Sequence, residues 1–228
     1  LFYLTTAIDY TNGAPHIGHA YEKVLADVLA RYRRLRGDEV FFLTGVDQHG
    51  QKVQQTAEKE GVHPATFVTR TTKKFLKLWD KLDVRYDGWA ETVDDRHQAC
   101  VRAILSTLKE QGQLYMKAHS GHYSVRQEQF LSDRDRDESG GFGPQWGEVV
   151  LFEEENWYFK LSEHTAWLRA YLEATPDAVM PAFRKAELVN ALERNSATDL
   201  CISRPKERLR WGIGFPFDPD FVTFVWFD

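Results

Sequence analysis

Two imidazoles three residues apart, His16 and His19 with Gly18 between them, are the first residues whose types and spacing suggest chemistry. An imidazole donates a hydrogen bond to a phosphoryl oxygen without carrying a fixed, strongly hydrated charge. Gly18 removes the side chain that would keep a phosphate or an adenine ring away from the backbone. The pair lies where an apolar run gives way to an amphipathic one. Free backbone N–H groups and a helix dipole make such a place an anion site. The bland alternative is that both histidines cap the helix or face solvent. A second candidate is Asp47, within Gly45-Val46-Asp47-Gln48-His49-Gly50. Its carboxylate suits an ammonium group, and equally well a helix N-cap.

The elements that must position these residues can be read on either side of them. Phe2 to Ile8 is β-rich and free of charge, as a buried parallel strand requires. Asp9 to Pro15, with Asn12-Gly13 and Ala14-Pro15, is loop chemistry. Ala20, Val24, Leu25, Val28, Leu29, Tyr32 and Leu35 recur at helical spacing. Gly37-Asp38 turns the chain into a second strand, Glu39–Thr44. Strand, helix and strand form a βαβ unit, which binds ligands outside the carboxyl ends of its strands. Asp47 and the loop before His16 therefore face one crevice. Helices are predicted at 51–61, at 64–82 with an apolar stripe through Phe67, Phe75, Leu78, Trp79 and Leu82, and at about 95–111. Val101, Ile104, Leu105 and Leu108 should point inward in the last of these, with Cys100 as a buried small hydrophobe.

Pro15-His16-Ile17-Gly18-His19 resembles the His-Ile-Gly-His (HIGH) signature of the class I aminoacyl-tRNA synthetases. Thr6 to Gly13 and Phe42 to Gly50 resemble the methionyl members of that family. The resemblance implies an α/β, Rossmann-like parallel nucleotide-binding fold split by an inserted connective-peptide β/α module. On that basis residues 1–112 are the first half of the fold, 113–198 the insertion, and 199–228 the return to the fold. The implied reaction is ATP-dependent activation of methionine to methionyl-adenylate and its transfer to tRNA(Met), with ATP entering as its Mg2+ complex. His16, His19 and Arg204 are then the catalytic candidates, and Asn12, His16, Gly18, His19 and Glu22 the ATP contacts. Ile8, Tyr10, Asp47 and Trp226 are the methionine contacts, with Asp47 on the ammonium group. Read without the family, Arg204 is a surface ion pair and Trp226 plain core filling. The absence of an initiator Met, and a chain that stops on the apolar run Val222–Asp228, lead us to expect an excerpt of a longer enzyme, incomplete for catalysis by itself.

Between Gly112 and Asp199 the pattern changes. Leu114–Lys117 and Gly121–Val125 read as short strands, Ser132–Gly147 as an exposed loop, and Glu153-Glu154-Glu155 as a solvated acidic run. Asn156–Leu161 reads as a strand, and 163–174 and 182–194 as helices. Tyr123 to Phe130 resembles the frame of the family's zinc knuckle, but Ser124 and Gln127 stand where cysteines would. The second ligand pair is missing near Gly143-Pro144-Gln145-Trp146-Gly147. Structural zinc needs about four Cys or His ligands, so no metal is expected.

The composition narrows the classes. Two distant cysteines, Cys100 and Cys201, fit reduced thiols and a cytoplasmic protein. No secretory signal pattern is present, and no apolar run approaches the roughly 20 residues of a membrane helix. A net charge of −5 excludes a chain that coats nucleic acid through bulk charge. The basic clusters at Arg31–Arg36, Lys73–Lys81 and Arg204–Arg210 read as solvated faces that permit an RNA partner. The competing readings are another class I synthetase, a smaller nucleotidyltransferase with the same loop, and a non-catalytic fragment.

Overall fold

A computed structural model describes residues 1–127, 129–194 and 198–228. The chain divides into two compact units, one of Leu1–Ile104 with Lys206–Asp228 and one of Leu105–Pro205. These limits fall several residues outside the 113–198 expected for the insertion.

The first unit begins with β1 (Phe2–Thr5) and β2 (Asp9–Tyr10), followed by α1 (Ile17–Leu35) and β3 (Val40–Asp47). It continues through α2 (Gln51–Lys59), α3 (Pro64–Lys81), β4 (Gly88–Glu91) and α4 (Asp95–Glu110), whose last turns enter the second unit. The sheet is parallel and centred on β3. One edge of β3 takes β1 along Val40–Leu43 and β2 along Val46–Asp47; the other takes β4. The expected strand Phe2–Ile8 is thus interrupted at Thr6–Ile8. The cause is local: the N–H and C=O of Ala7 are taken by the side chains of Glu22 and Lys23 instead of by the ladder. The core is Phe42 and Val46 from the sheet, Phe75 and Trp79 from α3, and Ala26 and Ala30 from α1.

Two helices turn differently from their sequence reading. Of the predicted stripe on α1, Ala20 is half-buried against the core, but Val24, Leu25, Val28, Leu29, Tyr32 and Leu35 are exposed, from 42% at Val24 to 88% at Leu35. The face of α1 toward the core instead carries Lys23, Ala26, Asp27 and Ala30. The alanines allow close approach to the sheet, and both charges are ion-paired. In α4, Val101 and Leu105 define the inward face; Ile104 and Cys100, which flank it, are exposed.

The second unit is an antiparallel sheet with two helices. β5 (Leu114–Ser124) and β7 (Val149–Phe159) pair along their whole length, flanked by β6 (Gln129–Leu131) and β8 (Leu200–Cys201). The predicted pair of short strands is one continuous β5. The acidic run lies inside β7, where Glu153 and Glu155 are exposed as expected and only Glu154, on the other face, is buried. The ladder with β5 and the period-two alternation override its charge. α5 (Leu161–Ala174) and α6 (Ala182–Arg194) follow, and β9 (Ser203–Pro205) closes the unit. The chain then re-enters the first unit, where β10 (Phe221–Thr223) is much shorter than the expected Val222–Asp228. A turn follows it, closed by the Phe227 N–H donating to the Phe224 carbonyl at 2.7 Å.

Candidate active site

α1 is entered by a capping box made of histidines. The His16 Nδ1 accepts from the Gly18 N–H at 3.1 Å, and the His19 Nδ1 accepts from the His16 N–H at 3.1 Å. Two of the free N–H groups of the helix start are thereby satisfied. The two rings stack at 3.7 Å between centroids. A Cβ on Gly18 would sit 3.0 Å from His16 Cε1, so the glycine makes room for the ring to fold back onto its own turn. The capping alternative is therefore true, and it carries a chemical consequence. With Nδ1 occupied as an acceptor, a neutral ring carries its proton on Nε2. Burial, then the neighbouring His16 and Lys23, hold the His19 imidazole below its usual pKa, which favours that neutral form. Both rings can then present Nε2–H to an anion. His16 and Gly18 are exposed and His19 is half-buried, so this end of the helix is open to a ligand.

The carboxyl ends of β2 and β3 meet beside one another. Tyr10 is paired with Asp47 in the register, and the Thr11 N–H and hydroxyl both donate to the Asp47 carbonyl at 2.9 Å. The Asp47 Oδ1 accepts from the His49 N–H at 3.3 Å. Asp47 does not cap α2; Gly50 occupies that position. Gly50 has φ +105°, and a Cβ there would run into the Tyr10 hydroxyl and crowd the Val225 Cβ. Glycine is required on both counts. The same corner is tied to the returning chain. The His49 Nδ1 and Asp228 Oδ2 are 2.8 Å apart, and Gln54 Oε1 accepts from the N–H groups of Arg210 and Trp211.

The sequence candidates divide. The structure gathers Ile8, Tyr10, His16, Gly18, His19, Glu22 and Asp47 on the strand ends and the first turns of α1. Asn12 lies in the exposed turn between β2 and α1. Glu22 turns back toward the strand, its Oε1 accepting from the Ala7 N–H at 3.0 Å. Trp226 is 84% exposed and fills no core. Val225 is buried and Asp228 is held by His49, which leaves the intervening Trp226 outside. Arg204 belongs to the second unit, buried, with its Nη1 donating to the Ser203 carbonyl at 2.7 Å and to Cys201 Sγ at 3.2 Å. Sequence reasoning passed over Asp9 and Lys23, which form a buried ion pair beneath the loop. Their signal was a lysine spaced three and seven residues before Ala26 and Ala30, on the face that packs inward.

In the second unit the knuckle frame is a turn clasped by side chains. The Ser124 hydroxyl accepts from the Gln127 N–H at 3.0 Å and donates to the Trp146 carbonyl. The Gln127 side-chain amide donates to the Gln145 carbonyl at 3.1 Å. Glu128, also within that frame, lies outside the described residues. Among the described residues no group of three or more His, Cys, Asp or Glu could hold a metal ion. Among them, too, no helix is long and apolar enough to cross a membrane.

The family profile described as "tRNA synthetases class I (M)" matches residues 2–139 and 146–228. The methionine--tRNA ligase of Rhizobium meliloti is 41% identical across 100% of this chain and 44% of its own length. That of Streptococcus pyogenes serotype M18 is 40% identical across 100% of the chain and 35% of its own. The Mycobacterium tuberculosis methionyl-tRNA synthetase, solved in complex with methionyl-adenylate, superposes with a TM-score of 0.88 at 35% identity. That match covers 99% of this chain and 44% of the solved one. The chain thus spans less than half the length of these relatives.

Proposed function

Since the chain belongs to the M group of class I tRNA synthetases, we propose that its parent protein activates methionine with ATP and charges tRNA(Met). The first step joins a methionine carboxylate oxygen to the α-phosphorus of ATP and breaks the α–β phosphoanhydride bond, releasing pyrophosphate. In the second, a terminal hydroxyl of the tRNA attacks the activated carbonyl and AMP leaves. A carboxylate is already a competent nucleophile, so the first step requires no general base. The protein contributes orientation and stabilises charge on the phosphoryl group as it transfers.

The observation that carries this reading is the histidine capping box at the N-terminus of α1, which engages Nδ1 of each ring and leaves Nε2–H as the donor available to a ligand. In this proposal they hold the α-phosphate oxygens, with Gly18, Asn12 and Glu22 around the nucleotide. Asp47 takes the substrate ammonium at the end of β3. Ile8, Tyr10 and the exposed Trp226 contact the side chain. A thioether offers no strong hydrogen bond, so selection rests on shape and polarizable contact. ATP enters as its Mg2+ complex, residues 113–198 act as the connective-peptide insertion, and the enzyme works in the cytoplasm. Arg204 is left out of the chemical step, since its guanidinium is engaged within its own unit.

The test is amino-acid-dependent exchange of pyrophosphate into ATP by the full-length protein, across all twenty amino acids. Exchange with methionine alone is expected. Exchange with another amino acid would overturn the pocket assignment, and none at all would overturn the reaction.

A further inference from the structure

Lys23 is fully buried, which is rare for a lysine and costly unless every donor finds an acceptor. Here each of the three donors does. The ammonium bonds to the Ala7 carbonyl at 2.9 Å, the Asp9 Oδ1 at 3.0 Å and the Glu22 Oε2 at 3.2 Å. It also sits 5.8 Å from the centre of the Trp79 ring. These acceptors are not a random set. Ala7 is in the break between β1 and β2 and precedes Ile8. Asp9 opens β2 and precedes Tyr10. Glu22 stands on α1 one residue before Lys23 and returns its other oxygen to the Ala7 N–H. Lys23 is itself one helical turn beyond His19. One ammonium thus ties the strand segment that carries the proposed methionine contacts to the helix that presents the proposed phosphate donors.

The pair is a poor device for stability alone. The second oxygen of Asp9 is buried with no hydrogen-bond partner among the described residues. Burial holds the Asp9 carboxyl above its usual range, although the Lys23 bond and charge pull it down. Half-satisfied buried pairs of this kind are commonly matched or bettered in stability by apolar residues of similar size. What apolar residues cannot do is interrupt the strand at Ala7 and hold the loose segment against α1.

We propose that Lys23 is a positioning residue for adenylation, setting the Ala7–Tyr10 segment against the His16–His19 turn so that methionine and the α-phosphate meet in line. This rests on the function proposed above. It acts through Ala7, Asp9 and Glu22 and touches no reacting atom.

The experiment compares wild type with the double variant Lys23→Met, Asp9→Leu in the full-length protein. Methionine-dependent pyrophosphate exchange is measured together with thermal unfolding, at a temperature below both midpoints. Both buried charges are removed together, so no buried carboxylate is stranded, and the part-exposed Glu22 keeps its bond from the Ala7 N–H. The expected result is a midpoint close to wild type with kcat reduced about tenfold or more, the scale on which misplacing reactants acts, and a raised KM for methionine. Wild-type kcat in a folded double variant would overturn the proposal, as would a rate loss that follows the unfolded fraction. Should the double variant not fold, Lys23→Gln keeps a donor but cannot reach all three acceptors. A reduced kcat is expected there too, and wild-type kcat would overturn the proposal. Absence of methionine-dependent exchange in wild type would instead defeat the functional reading, which separates the two failures.

Discussion

The turn that enters α1 and the turn that follows β5 are both closed by side chains bonding to nearby backbone, and they leave opposite things over. At His16–His19 the bonds use Nδ1 of each ring, and the other ring nitrogen stays outside the turn as a donor. At Ser124–Gln127 one hydroxyl accepts from the Gln127 N–H and donates to the Trp146 carbonyl, and Ser124 is fully buried. A two-ended side chain can stabilise a turn and still address a ligand. A hydroxyl spent in both directions holds the turn and nothing else. In the function proposed above the first turn is chemistry built on a cap, while the second, where the sequence resembles a zinc-knuckle frame, is a cap alone.

The comparison breaks most visibly if the site around the first turn is not one for an amino acid. In the full-length enzyme, Asp47→Ala should lower kcat/KM for methionine about a hundredfold or more, because the substrate ammonium loses its partner in the crevice. Near-normal saturation by methionine would reduce Asp47 to the local bond it makes with the His49 N–H. At the second turn the effect should fall on stability. Ser124→Ala removes two bonds that close a part-buried turn, each worth about 0.5–1.5 kcal/mol on unfolding, while exchange activity is kept. Chelator treatment of the wild type should leave its melting curve unmoved. A chelator-sensitive melt would mean that the second turn does bind a metal.

How far these features were legible depends on how local their causes are. The HIGH turn was readable because its residues are adjacent and the strand and helix flanking it are short-range patterns. The stripe on α1 was readable as a shared helix face, since period 3.6 reports which positions face together. It does not report which face is covered, and here the covered one holds Lys23, Ala26, Asp27 and Ala30. Lys23 looks like a surface residue until Asp9, fourteen positions earlier, is seen beside it. Glu153–Glu155 reads as a solvated run from its charge, yet Glu154 is buried, because β5 supplies a ladder far away in sequence that gives the segment two faces. Trp226 reads as core from its apolar neighbours. The bond from Asp228 to His49, 179 residues away in the chain, is what helps turn it outward.

The central claim is that His19, neutral and held by its own cap, stabilises the phosphoryl group during transfer. The most direct measurement is the single-turnover rate of methionyl-adenylate formation by full-length wild type and His19→Ala, with methionine affinity determined in parallel. The account predicts a rate lower by more than about tenfold, as for loss of a donor at a charged transition state, with methionine affinity little changed. An unchanged rate in a folded His19→Ala enzyme would contradict it and leave the histidine as a helix cap alone.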